Sequence, residues 1–162
     1  MTFYCRSDAK DLYYIASNLI ASQIINKPDS ILGQAGVFDQ DETITDTIEN
    51  WANKGIVPFD WASLVEYRSK ALCNTKVDLL IYGIGKGYKR PRGYEIYQAI
   101  QNAKTVLAIA TGKENAGILY DALEVDVLSE NPVTILRNHA NVVICGDEEA
   151  LSLLSRKNGR WL

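Results

Sequence analysis

Four cations fall within seven residues, at Lys86, Lys89, Arg90 and Arg92, with no acid among them. They are interleaved with or preceded by Gly83, Gly85 and Gly87. Those glycines follow an apolar run over residues 77–81 whose one acid is Asp78. The pattern is that of a buried strand running into a loop suited to an anion. Glycines let the backbone come close to a ligand, and arginine forks match the oxygens of a phosphate. The other reading is a loop whose charges keep it soluble, and the residues alone leave both open. Thr111, Gly112 and Lys113 form a second candidate. They stand at the start of a helical pattern, where backbone N–H groups and the helix dipole would add to the lysine charge.

Acid–base chemistry is less well provided for. Glu66, Asp39, Asp41 and Glu95 are the carboxylates near the expected ligand edge. Each reads more simply as a solvated side chain, so no catalytic residue is assigned, with Glu66 the weak candidate. His139, the one histidine, could exchange protons near neutral pH, but a structural role is the simpler reading. The three glycines lack the full G-x-G-x-x-G spacing and an immediate helix, so a dinucleotide site is not indicated. Cys5, Cys73 and Cys145 are widely spaced, and a single histidine completes no zinc set. No metal and no cofactor is expected. Trp51, Trp61 and Trp161 read as packing residues rather than a sugar platform.

The 162 residues fit one domain, set here at 1–155 with residues 156–162 as a C-terminal tail. Hydrophobic residues make up 47% and charged residues 23%, as in globular proteins, and the net charge is −3. An acidic chain does not suit general nucleic-acid binding, so the basic loop is a local feature fitted to a small anion. No run reaches ~18 apolar residues and the first ten residues carry no signal core, which implies a cytoplasmic protein without membrane partners.

The positioning elements alternate. Ser7 and Asp8 cap a helix whose apolar residues Leu12, Ile15, Ala16, Leu19, Ile20 and Ile24 recur at helical spacing. Residues 30–36 read as a strand and turn, 40–54 as an acidic helix and 59–73 as another helix. Residues 77–82 form a strand. The stretch 93–104 fits strand or helix. The apolar run 105–111 reads as a central strand buried on both faces. Residues 112–124 and 131–140 read as helical, 141–146 as a strand, and 147–157 as a final helix. The order implies an α/β fold, a parallel sheet with helices on both faces. Ligands in such sheets sit at the carboxyl ends of the strands.

The last third, from "AKTVLAIATGKENAGILYDALE" through "ILRNHANVVICGDEEALSLL", resembles the glucosamine-6-phosphate deaminase (isomerase) family. The carriers are the strand ending in "ATG", the helix after it, Pro132, the L-x-x-H from Leu136 to His139, and the strand followed by "DE". "DLYYIASNLIASQIINKPDSILGQAG" is similar to the family's first helix and strand, and "VDLLIYGIG" to its central strand. The resemblance covers about two-thirds of the chain and implies a trimmed sugar-phosphate isomerase/CoA-transferase-like fold.

The departures bear on activity. Where the family has a threonine- and serine-rich phosphate loop, this chain has Ala35, Gly36, Val37 and Phe38. Val65 stands where the family's "Asp-Glu-Tyr" motif has its proton-moving Asp. After Gly85 come Lys86, Gly87, Tyr88 and Lys89, without the family's histidine. Asn115 takes the place of the lysine in "TG-x-x-K-A". The chain is shorter than the family norm at residues 67–76 and 88–91. The resemblance with these departures implies a homologue that binds a phosphorylated sugar or phosphate without converting it. Two alternatives stay open: an active aldose–ketose isomerase/deaminase with reassigned acid–base residues, and a structural or regulatory subunit that pairs with another chain. A homo-oligomer is expected, because the shortening should uncover apolar faces.

Overall fold

The computed structural model of the protein describes residues 1–36, 41–58, 64–66, 74–85, 93–125, 132–157 and 159–162. The described strands are β1 (Thr2–Arg6), β2 (Leu32–Gly36), β3 (Leu64–Glu66), β4 (Leu79–Gly83), β5 (Thr105–Ala110), β6 (Val142–Asp147) and β7 (Arg160–Trp161). They form one sheet in the order β3-β2-β4-β5-β6-β1-β7, and every neighbouring pair is parallel. The helices are α1 (Ala9–Asn26), α2 (Asp41–Asn53), α3 (Gly93–Asn102) and α4 (Ala116–Leu123). Short 3-10 turns lie at Lys113–Asn115 and Pro132–Asn138.

Two cores sandwich the sheet, because successive side chains of a strand point to opposite faces. On one face Leu79, Ile81, Leu107 and Ile109 pack with Leu12, Ala16 and Ile20 of α1 and with Ile44 and Ile48 of α2. On the other, Leu80, Tyr82, Val106 and Ala108 pack with Ile96 and Ile100 of α3, Leu119 of α4, and Val133 and Leu136. α1 starts as its sequence suggests, with Asp8 Oδ1 accepting from the Asp11 N–H at 2.9 Å. The ambiguous stretch 93–104 is helix over Gly93–Asn102, since Ile96, Ala99 and Ile100 recur at helical spacing and are buried, with Ala103 buried just beyond its end.

Four local readings change. Of the expected helix 59–73, Leu64–Glu66 is instead a strand paired with Leu32, Gly33 and Gln34, and the rest lies outside the described residues. The expected helix 147–157 is a series of turns from 148 to 153, where one helical bond, Leu151 N–H to the Asp147 carbonyl (3.1 Å), is not propagated. Residues 2–6, not assigned above, form β1. The segment set apart as a tail supplies β7. Its Trp161 ring stacks on Phe3 with centroids 4.5 Å apart, and Leu162 N–H donates to the Phe3 carbonyl at 2.8 Å.

The acid inside the apolar run, Asp78, sits just before β4 at the amino edge of the sheet, and its side chain is only 7% exposed. Oδ1 takes Lys104 Nζ at 2.6 Å, and Oδ2 takes Lys27 Nζ at 2.8 Å and the Ile31 N–H at 2.9 Å. Burial alone would raise its pKa. The Lys104 and Lys27 bonds and the Ile31 N–H outweigh this and hold the carboxyl well below the usual carboxylate range. The clamp ties the end of α1 and the starts of β2, β4 and β5 together.

Cys145 lies fully buried in β6, and burial pushes its thiol up to about 12, opposed only in part by Arg6. Only the thiolate reacts. Cys145 is therefore expected to stay unmodified by a maleimide at neutral pH in the folded protein and to react on unfolding. Peptide mapping by mass spectrometry checks this, and rapid native labelling at Cys145 would contradict the packing described.

Candidate functional site

Because all described strands run parallel, their carboxyl ends share one edge. Along it, in spatial order, stand Glu66, Gly36, Gly83, Ala110, Asp147 and Arg6. This is the edge at which such sheets take ligands. β4 and β5 are neighbours, with Gly83 opposite Ile109 and the Ile84 N–H donating to the Ile109 carbonyl at 2.8 Å. The stems of the two candidate anion loops, residues 84–85 and 111–112, therefore emerge side by side. Lys86, Lys89, Arg90 and Arg92 lie outside the described residues.

The turn after β5 is organised by acids. Gly112 has φ +81, a conformation that suits glycine, and a Cβ there would lie 2.6 Å from both Glu114 carboxylate oxygens. Its N–H donates to Asp147 Oδ2 at 2.9 Å, while Asp147 Oδ1 accepts from the Ala150 N–H at 2.7 Å. Asn115, almost fully buried, donates from Nδ2 to the Thr111 carbonyl at 2.7 Å. Thr111 and Gly112 are half-buried, and Lys113 is exposed at the head of the 3-10 turn leading into α4. The structure thus brings Thr111, Gly112 and Lys113 to the expected edge. The Gly112 N–H, however, is committed to a carboxylate of the protein itself.

That bond was not legible in the residue pattern. The signal was the "DE" after the last central strand, where Asp147 ends β6 beside the β5 turn. Of the carboxylates weighed for catalysis, Glu66 ends β3 at this edge, Asp41 opens α2, Glu95 is exposed in the first turn of α3, and Asp39 lies outside the described residues. Among the described residues no cluster of histidine, cysteine or carboxylates could hold a metal ion.

His139 lies at the opposite, amino edge. Its Nδ1 accepts from the Asn141 N–H at 3.2 Å, so Nε2 is the protonated nitrogen and donates to the Ala103 carbonyl at 2.9 Å. It links the Pro132–Asn138 turn to the segment entering β5, which is a structural job remote from the carboxyl edge.

No family model matches the chain. A glucosamine-6-phosphate deaminase of Lactococcus lactis subsp. cremoris (strain SK11) is 43% identical over 58 residues, 36% of this chain and 25% of that relative. The deaminase of Exiguobacterium sibiricum is 39% identical over 64 residues, 38% of this chain and 25% of that protein. The match thus spans about a quarter of the length of these curated relatives. Among solved structures, a monomeric glucosamine-6-phosphate deaminase of the NagB superfamily superposes with a TM-score of 0.74 at 15% identity, covering 95% of this chain and 100% of that one. A 6-phosphogluconolactonase from Leishmania guyanensis gives 0.69 at 11% identity, covering 95% and 99%. No helix among the described residues is long and apolar enough to cross a membrane. The chain is thus similar in sequence to glucosamine-6-phosphate deaminases over about a third of its length, and similar in fold to a monomeric deaminase of the NagB superfamily over 95% of it.

Proposed function

We propose that the protein binds a phosphorylated sugar, or phosphate itself, at the carboxyl edge of the sheet and does not convert it. The observation that carries this is the adjacency of β4 and β5, from which residues 84–85, the described stem of the basic stretch, and residues 111–112 emerge side by side. The comparisons support the ligand class. The similar proteins are named for different reactions, deamination and lactone hydrolysis, on 6-phosphorylated sugar derivatives. With the Gly112 N–H held by Asp147, the cations Lys86, Lys89, Arg90, Arg92 and Lys113 are the anion's partners in this reading. Two features support binding without turnover. Val65 and Lys86–Lys89 stand where the resembling family carries its acid–base groups, and Asp147 is spent on two backbone N–H groups. The loss of a positioned acid or base typically costs ~10²–10⁴-fold each.

Isothermal titration with glucosamine-6-phosphate, fructose-6-phosphate and inorganic phosphate, beside an ammonia-release assay, tests this. Binding that weakens with salt and no ammonia above background are expected. Each charge-assisted bond contributes ~1.5–3 kcal/mol, so changing Arg90 and Lys113 together to Ala should weaken phosphate binding ~100-fold or more. No affinity at low salt would end the binding reading, and turnover at ~1 per second or faster would favour an active enzyme. Homo-oligomerisation belongs to the same proposal, and light scattering on the titrated sample checks it.

A further inference from the structure

On the α1 face, at the edge remote from the strand carboxyl ends, the described residues leave a half-open cleft of about 230 Å³. Its floor is apolar: Leu79, Leu107 and Val143 from the first halves of β4, β5 and β6, with Leu19 of α1. Its polar wall is Ser22, Gln23 and Asn26 of α1 and Thr105 of β5. The wall is partly pre-set. Gln23 Nε2 donates to Ser30 Oγ at 2.9 Å, and Ser30 Oγ donates to the Lys27 carbonyl at 2.6 Å. The carboxamide is therefore held, with Oε1 as an acceptor and the second Nε2 hydrogen as a donor still to be used. The charges of this corner cancel. Lys27 meets Asp78 and Asp29, Lys104 meets Asp78, and both lysines are committed to those acids.

Size and lining define an occupant. A dry cavity of ~150 Å³ holds a benzene ring, so 230 Å³ takes a six-membered ring with a short head. The carboxamides of Gln23 and Asn26 and the hydroxyls of Ser22 and Thr105 offer donors and acceptors together, which calls for a head that both donates and accepts, as a hydroxyl or a primary amide does. The balanced charges give a carboxylate or phosphate no net attraction. We propose that this cleft is a binding site for a small neutral molecule with a ring-sized apolar body and a hydroxyl or primary amide head. It is separate from the carboxyl edge and does not depend on the phosphosugar reading.

The test is a titration of the ¹⁵N-labelled full chain with benzyl alcohol and benzamide, with benzoate as the charged control. Saturable amide shifts are expected in the second half of α1 and at the starts of β4, β5 and β6. Half-saturation should fall near ~1 mM, which ligands of about eight or nine non-hydrogen atoms can reach. Benzoate should bind about tenfold more weakly, and glucosamine-6-phosphate should not compete. Val143→Phe, which fills the floor, should abolish the shifts. Thr105→Val, which removes only the hydroxyl, should weaken both probes several-fold with an otherwise unchanged spectrum. If Val143→Phe does not fold, Leu19→Trp fills the cleft from its half-buried helix side instead. The absence of saturable shifts, equal binding by benzoate, or unchanged binding by the filled variant would overturn the assignment.

Discussion

Replacing Asp78 by alanine is expected to cost about 2–4 kcal/mol of stability, among the largest losses for a single substitution in this chain. Three charge-assisted bonds converge on its carboxylate, from Lys104, Lys27 and the Ile31 N–H. Each is typically worth ~1.5–3 kcal/mol. The sum is discounted because the Lys104 and Lys27 side chains, 68% and 39% exposed, can return their ammonium groups to water. The Ile31 N–H has no such escape unless the start of β2 shifts. Asp78→Asn keeps one acceptor for that N–H and should lose less. At this chain length ~1 kcal/mol moves the melting temperature by ~2–4 °C, so a drop of roughly 5–15 °C is expected for the alanine variant.

The same clamp fixes a pH dependence. The folded-state pKa of Asp78 lies below its unfolded value of ~3.9. Its contribution is therefore fully present above that value and is lost as pH falls from there towards the folded pKa. The stability gap between the parent and Asp78→Asn should be constant near neutrality and shrink progressively below about pH 4. Denaturant unfolding of both proteins between neutral and acid pH measures it. A gap that does not change with pH would show that Asp78 acts only as a neutral acceptor.

Asp147→Ala is expected to cost a similar ~2–4 kcal/mol, for a different reason. Among the described residues no lysine or arginine pairs with it. Its two oxygens hold the Gly112 and Ala150 N–H groups, and it is 9% exposed. Removing the acceptor leaves donors whose desolvation is uncompensated, at ~1–3 kcal/mol each. The effect should be local as well as global. Hydrogen exchange at Gly112 and Ala150 should accelerate far more than at Leu107 or Ile144 in the neighbouring strands. Asp147→Asn, whose one remaining carbonyl oxygen can satisfy one donor, should fall between parent and alanine. A loss under ~0.5 kcal/mol, within the range of ordinary surface changes, would mean that water or a shifted backbone satisfies both groups. Because Asp147 orders the turn that carries Lys113, the alanine variant should also bind phosphate differently if the carboxyl edge is the anion site.

The sequence by itself determined what depends on local period. α1 was readable from Leu12, Ala16, Ile20 and Ile24 and from the Asp8 cap, because a 3.6-residue repeat and a side-chain acceptor are properties of one segment. β4 and β5 were readable because strands buried on both faces carry unbroken apolar runs. The alternation of these elements was enough for a parallel α/β sheet, and the "ATG" strand, L-x-x-H and "DE" were enough for the family resemblance. The carboxyl edge followed as the place for Thr111, Gly112 and Lys113.

The tertiary structure decided whatever depends on a partner distant in the chain. Residues 64–66 are a strand because β2 offers an open edge to pair with, which outweighs their helical setting. The segment after β6 stops after one helical turn and crosses back, so that Trp161 can stack on Phe3, some 158 positions earlier. Residue types alone could not show that Asp78 closes a clamp between Lys27 and Lys104, or that His139 is bound between Asn141 and Ala103. Nor could they show that Asp147 already holds the Gly112 N–H that had been offered to an anion. A side chain's charge and reach are written in its type, whereas the donor it meets is set by the register of neighbouring strands, and that register exists only once the sheet has formed.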